Sequence, residues 1–199
     1  MIILLRHGRI EDGKGRCVGR TDMHLSSDGL AQARELADEL AALPFTRLCS
    51  SPAGRAQATM GPLAARLGLQ VELLPALDEI DMGEWDGLDF DTIRRRFPEE
   101  YAARGKRLGR YRVPGGESFE DVAQRAMEAL GELARGAQPV LAVTHAGVIR
   151  SVLCRVTGHP LDGLFRFTPG YARCTLLRGD GTFELVANDV FARTVRELL

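Results

Sequence analysis

Arg6, His7 and Gly8 stand directly behind the apolar run Ile2-Ile3-Leu4-Leu5, so a guanidinium and an imidazole sit where a strand pattern opens into a loop. Phosphoryl chemistry suits such a pair. Arginine offers a planar fork of donors that fits phosphate oxygens, and a neutral imidazole can attack phosphorus to form a covalent intermediate. Three later stretches supply partners in comparable settings. Ser50-Ser51-Pro52-Ala53-Gly54-Arg55 follows a short strand pattern and adds a second arginine. Leu77-Asp78-Glu79 adds a carboxylic acid at the mouth of a loop that runs to Gly87, and Val143-Thr144-His145-Ala146-Gly147 ends another strand pattern with a second histidine.

The needs of the reaction put these groups in order. A phosphomonoester dianion must be held and its charge offset, which makes Arg6 and Arg55 the natural clamp. His7 can attack only as a neutral ring whose far nitrogen is held by a backbone carbonyl or a carboxylate. An ordinary imidazole has a pKa of about 6.5, so two neighbouring arginines are expected to help keep it deprotonated. The leaving alkoxide needs a proton, and Glu79 is the best donor in the set, kept protonated by burial or by the dianion beside it. It would then deprotonate the water that ends the cycle. His145, followed by Ala146 and Gly147, can donate to the equatorial oxygens, with local backbone N–H groups assisting. No step requires a metal or an organic cofactor, so neither is expected.

Apolar strand-like runs alternate with helical patterns along the chain, which argues for a layered α/β domain. Strands are expected near residues 2 to 6, from Arg47 to Ser50, from Val71 to Leu74 and from Pro139 to Thr144, the last buried on both faces. Ala172 to Leu177 and Phe183 to Ala187 read as a closing antiparallel pair around the turn Arg178-Gly179-Asp180-Gly181. Ser27 is the expected N-cap of the first helix, which Pro44 stops, and Pro52 suits the first turn of a helix that runs to Gly68. Ser118 and Asp121 are spaced as a capping box for a helix to Arg135, and Gly158 closes the helix that follows His145. One domain, 1–199, is expected. Between Arg94 and Arg112 basic residues outnumber acidic ones, and the segment 88–116 reads either as a solvated helical face or, by slight preference, as a basic lid that draws in an anionic substrate.

Together the four motifs resemble the histidine phosphatase superfamily, also called phosphoglycerate mutase-like, over most of the chain. The resemblance implies a three-layer α/β/α sandwich with a mostly parallel central sheet and an antiparallel edge. It also implies His7 as nucleophile, Glu79 as acid and base, and Arg6, Arg55 and His145 as phosphate binders. Glu79, Gly83 and Gly87 match the family's Glu-x-x-x-Gly-x-x-x-Gly pattern. Ile80 and Met82 stand where the mutases of the family carry arginine and tyrosine, which points to the phosphatase branch. Gly15-Arg16-Cys17-Val18-Gly19-Arg20-Thr21-Asp22 is similar to the loop of alpha-ribazole phosphatases, making alpha-ribazole 5′-phosphate the first substrate expectation, ahead of broad-specificity or sugar-(bis)phosphate phosphatase activity and then a mutase. Gly8, Arg16, Gly19, Thr21, Ala146 and Gly147 are expected to line the pocket. Arg9 and Ile10 depart from the family's usual Glu and hydroxyl residue, and Arg9 either meets a second anionic group of the substrate or points to solvent.

Two other classes compete. Gly8 to Lys14 spells G-x-x-x-x-G-K, as in a nucleotide-cradling P-loop, but Gly15 stands where that motif needs Ser or Thr and no amphipathic helix follows. An inactive module that binds phosphorylated ligands is disfavoured because all five polar residues are retained. Composition agrees with the enzyme reading. The 199 residues, 45% hydrophobic and 27% charged, suffice for a sizeable core. A net charge of −1 gives no general attraction to nucleic acid or membranes. The scattered Cys17, Cys49, Cys154 and Cys174 suit a reduced, cytoplasmic protein without a structural metal, and no stretch is long enough to span a bilayer. The expected partner is a small phosphate ester. Apolar residues from Val190 to Leu199 could serve a homodimer, although packing of the tail onto the domain is preferred.

Overall fold

The computed structural model describes residues 1–13 and 15–199; Lys14, the last residue of the G-x-x-x-x-G-K stretch, lies outside them. The elements run β1 (Ile2–Arg6), α1 (Ser27–Leu40), β2 (Arg47–Ser50), α2 (Gly54–Leu67), β3 (Val71–Leu73), α3 (Phe90–Arg96), α4 (Pro98–Lys106), α5 (Phe119–Arg135), β4 (Val140–Thr144), α6 (Ala146–Thr157), β5 (Cys174–Gly179), β6 (Phe183–Val190) and α7 (Ala192–Leu198). The six strands form one sheet in the order β3-β2-β4-β1-β5-β6. β1, β2, β3 and β4 are mutually parallel, while β5 runs antiparallel to both β1 and β6.

Alternation along β1 decides which layer each residue serves. Ile2 and Leu4 join a core built with Val122, Ala126 and Leu130 of α5 and Val148, Ile149 and Val152 of α6. Ile3 and Leu5 join a second core with Leu36 and Leu40 of α1, Met60 and Leu63 of α2 and Val195 of α7. The result is the expected three-layer α/β/α sandwich. β4 is buried along its whole length, and sinking a residue such as Leu141 or Val143 out of water contributes about 1.5–3 kcal/mol.

Several boundaries differ from expectation for local reasons. The first helix is capped by Ser26, not Ser27: its N–H donates to Arg9 O at 2.9 Å and its hydroxyl accepts from Gly29 N at 3.1 Å. Pro52 lies outside α2, whose N-cap is Ala53. β5 begins two residues late because Ala172, at φ +55°, turns its N–H toward Arg6 O at 3.1 Å. The capping box of Ser118 and Asp121 and the left-handed Gly158 after α6 occur where the pattern puts them. α7 buries Ala192 and Val195 and leaves Phe191 and Leu199 exposed, so the tail does pack onto the domain.

Among the described residues, β1 is not followed by a P-loop that runs straight into a helix. The chain makes isolated bridges between Ile10 and Leu25 and between Arg16 and Asp89, and the next helix begins only at Ser27. The basic segment forms α3 and α4, which sit over an aromatic cluster: Trp85 lies 6.1 Å from Phe97, 6.1 Å from Tyr101 and 6.3 Å from Tyr111. Among the described residues no helix is long and apolar enough to cross a membrane.

Candidate active site

The β1–β4 register pairs Arg6 with Thr144, so the next residue of each strand, His7 and His145, leaves the sheet side by side. His7 N donates to Thr144 O at 3.1 Å, and the two imidazole centroids are 5.1 Å apart. Both rings are buried, at 4% and 0% exposure. His7 Nδ1 lies 2.8 Å from Gly8 O, a contact that needs the proton on Nδ1 and leaves Nε2 with its lone pair. Burial first, then Arg55 and Arg6, hold its pKa down at about 3. Desolvation therefore outweighs the two arginines that sequence reasoning invoked.

A cavity of about 200 Å³ opens over this end of the sheet, lined by Arg6, His7, Ile10, Gly13, Arg16, Val18, Arg55, Glu79, Ala146, Arg150 and Tyr171. Arg6 donates to Pro169 O at 2.7 Å and lies with its guanidinium carbon 3.7 Å from the centre of the Tyr171 ring. Arg55 donates to Thr21 O at 2.9 Å and to Gly19 O at 2.7 Å. Each arginine is thus oriented from behind, and each keeps a buried Nε without a partner. Burial lowers the pKa of both, although a guanidinium stays charged throughout the working range.

Glu79 is 9% exposed and accepts from Ile80 N at 3.0 Å and from Gly147 N at 3.1 Å. A Cβ on Gly147 would collide with the Glu79 carboxyl, so glycine is the residue that lets the acid lie over the start of α6. The loop bearing Glu79 is fastened by Arg125 of α5, which donates to Ala76 O at 2.7 Å and meets Glu117 through two nitrogens at 2.9 and 3.0 Å. Glu117 in turn accepts from Asp81 N at 2.9 Å. Gly83, at φ +48°, lets this loop press against Pro114 O, a contact that any side chain would block.

Of the residues expected in the pocket wall, Arg16 and Ala146 line it, and Gly8, Gly19, Thr21 and Gly147 stand behind it. Gly8 donates to Thr59 Oγ1 at 3.0 Å. Gly19 and Thr21 present carbonyls to Arg55 while Asp86 accepts from both backbone N–H groups, at 2.7 and 2.9 Å. The reason is close packing: a Cβ on Gly19 would lie 2.5 Å from Ile80 O. Arg9 is not among the residues that line this cavity, and its side chain is 56% exposed beside Asp28. No basic side chain from Arg94 to Arg112 lines the cavity; Arg104, for instance, lies 5.8 Å from the Trp85 ring.

Arg150 and Tyr171 line the cavity without having been singled out from the sequence. Arg150 sits one helical turn after Ala146, the (i, i+4) spacing that puts two residues on one face, and this was the available signal. Tyr171 had none, because the loop before β5 reaches the site only through tertiary folding.

A profile of the histidine phosphatase superfamily (branch 1) matches residues 2–188. Among curated proteins, the chain is 38% identical over 166 residues to a 6-phosphofructo-2-kinase/fructose-2,6-bisphosphatase of Caenorhabditis elegans, and 34% identical over 162 residues to one of Arabidopsis thaliana. These alignments take in 82% and 80% of the chain but only 35% and 22% of those longer proteins. Among solved structures, mycobacterial glucosyl-3-phosphoglycerate phosphatase superposes with a TM-score of 0.83 at 28% identity, covering 95% of this chain and 98% of that one. The alpha-ribazole phosphatase of Shigella flexneri superposes with a TM-score of 0.86 over 96% of this chain and 97% of that one, at 23% identity, which speaks to the fold alone. The chain belongs to the histidine phosphatase superfamily, branch 1.

Proposed function

We propose that this chain hydrolyses phosphomonoesters through a phosphohistidine on His7. The observation that carries the reading is the His7 Nδ1 contact with Gly8 O, which leaves Nε2 of a neutral ring with its lone pair in a cavity that Arg6 and Arg55 also line. Arg6 and Arg55 hold the phosphate oxygens, joined by His145 and the backbone at the start of α6. His7 Nε2 attacks phosphorus as the ester P–O bond breaks, and the alkoxide takes the Glu79 proton. Water then attacks phosphorus, gives its proton to Glu79, and the N–P bond breaks to release phosphate.

For the substrate, the cavity favours a second anionic group. Arg16 and Arg150 line it in addition to Arg6 and Arg55, against the single carboxylate of Glu79. Two arginines match the reacting phosphate, leaving two for another anion. A sugar bisphosphate or a phosphorylated sugar acid fits, in keeping with the names of the fructose-2,6-bisphosphatase and glucosyl-3-phosphoglycerate phosphatase relatives. Alpha-ribazole 5′-phosphate is the second reading, resting on the Gly15 to Asp22 loop. Phosphate release in excess EDTA tests both, with fructose 2,6-bisphosphate, glucosyl-3-phosphoglycerate, 3-phosphoglycerate, alpha-ribazole 5′-phosphate and p-nitrophenyl phosphate as substrates. A kcat/KM that is highest on the doubly anionic esters supports the first reading, a dominant rate on the ribazole ester replaces it with the second, and no release from any overturns the phosphatase.

A further inference from the structure

We propose that Ser51 and Asp78 are positioning residues that fix the tautomer of His145, holding its proton on Nε2 in the free protein, so that a bound phosphate dianion draws one proton from solution onto Nδ1. Ser51 Oγ has three polar neighbours: Asp78 Oδ1 at 2.5 Å, His145 Nε2 at 2.8 Å and Ala53 N at 3.1 Å. A hydroxyl has one proton to give. Asp78, as a carboxylate, can only accept it, and Ala53 N can only donate. His145 Nε2 must therefore be the donor in its own contact with Ser51. The remaining nitrogen, Nδ1, is buried and has no partner.

This is the opposite of His7, whose proton sits on Nδ1 facing Gly8 O. A neutral His145 arranged in this way offers only a lone pair at Nδ1, which repels a phosphate oxygen. To bind phosphate it must become imidazolium and donate from both nitrogens. The protein surroundings oppose this: burial, then His7, Arg55, Arg6 and Arg125, hold His145 well below its ordinary pKa. Arg6 faces it from β1, His7 from the residue after that strand, Arg55 from α2 and Arg125 from α5, while Asp78 acts through Ser51 and Glu79 holds Gly147 N two residues away. A dianion between Arg6 and Arg55 reverses that balance. The proton comes from solution and no covalent bond changes.

The tautomer follows from the hydrogen bonds of Ser51 with Asp78 as a carboxylate, whereas the proton uptake rests on the proposed role of His145 against phosphate. Long-range proton–nitrogen spectra of the labelled protein, which has four histidines, read the tautomers directly. The expected result is His7 protonated on Nδ1 and His145 on Nε2. Asp78→Asn supplies an amide donor to Ser51, frees the Ser51 proton for His145 Nε2 and moves the histidine proton to Nδ1. Calorimetry of inorganic phosphate binding in buffers of different ionisation enthalpy is expected to show uptake of close to one proton by the wild type and almost none by Asp78→Asn. Ser51→Thr, which keeps the hydroxyl, should behave as the wild type and controls for folding. His145 found protonated on Nδ1 in the unliganded wild type, or an Asp78→Asn protein with unchanged tautomer and proton count, overturns the inference. Tautomers as stated together with no phosphate release from any ester would instead overturn the phosphatase reading and leave the tautomer assignment supported.

Discussion

His7 and His145 occupy equivalent places at the ends of two adjacent parallel strands, and both are buried, yet the molecule engages them through opposite nitrogens. His7 is held at Nδ1 by the carbonyl of the next residue, a local contact, and its other nitrogen belongs to a ring that lines the cavity. His145 is held at Nε2 by Ser51, 94 residues away, and that hydroxyl is itself tied to Asp78. Identical side chains therefore become different reagents. In the proposed mechanism one is the nucleophile, while the proposed tautomer of the other is governed by a carboxylate two hydrogen bonds away.

The comparison is broken most severely by His7→Ala, which is expected to cut phosphate release about 10⁴-fold or more by removing the attacking nitrogen. Steady-state rates on p-nitrophenyl phosphate check this, and a small loss would move the nucleophile elsewhere. Glu79→Gln should lower kcat by about 10²–10⁴-fold on alkyl phosphates and far less on p-nitrophenyl phosphate, whose phenolate leaves with little protonation. Equal losses on both would remove Glu79 from the acid role.

Smaller effects sharpen the contrast. Arg150→Ala should raise KM about 10-fold more for doubly anionic esters than for singly anionic ones, a difference of about 1.4 kcal/mol in binding. Parallel KM changes would count against a second anion. His7 has a pKa of about 3 when folded, below its ordinary value. Between those values only the unfolded chain takes up the proton, so this contribution is fully present above the ordinary imidazole pKa and is lost as pH falls toward about 3. His145 is lowered in the same sense. Urea midpoints at neutral and mildly acidic pH should consequently fall less with acid in His7→Ala than in the wild type, and an unchanged slope would argue that the ring is more exposed to water.

Much of this site is legible in the chain because its signals are local. A run of buried residues followed by Arg6, His7 and Gly8, the Ser51 to Arg55 stretch before a helix, and the apolar β4 before His145 each declare a strand end with a polar group on it. The capping box at Ser118 and the glycine after α6 are equally local. What surrounds those groups is not. Thr59 reaches Gly8 across 51 residues, Asp86 organises the loop of Gly19 across 67, and Arg6 meets a carbonyl 163 residues away at Pro169.

Residue order thus determined the candidate chemistry, the α/β class and the bounds of several elements, since propensity, capping and apolar period act over a few residues. Only the tertiary structure decided that β1 lies between β4 and β5, that Arg150 and Tyr171 enter the cavity, and that Ser51 and Asp78 stand beneath His145. Those outcomes depend on strand order and register, which are set by burying two apolar faces at once, and no short stretch of sequence carries that information.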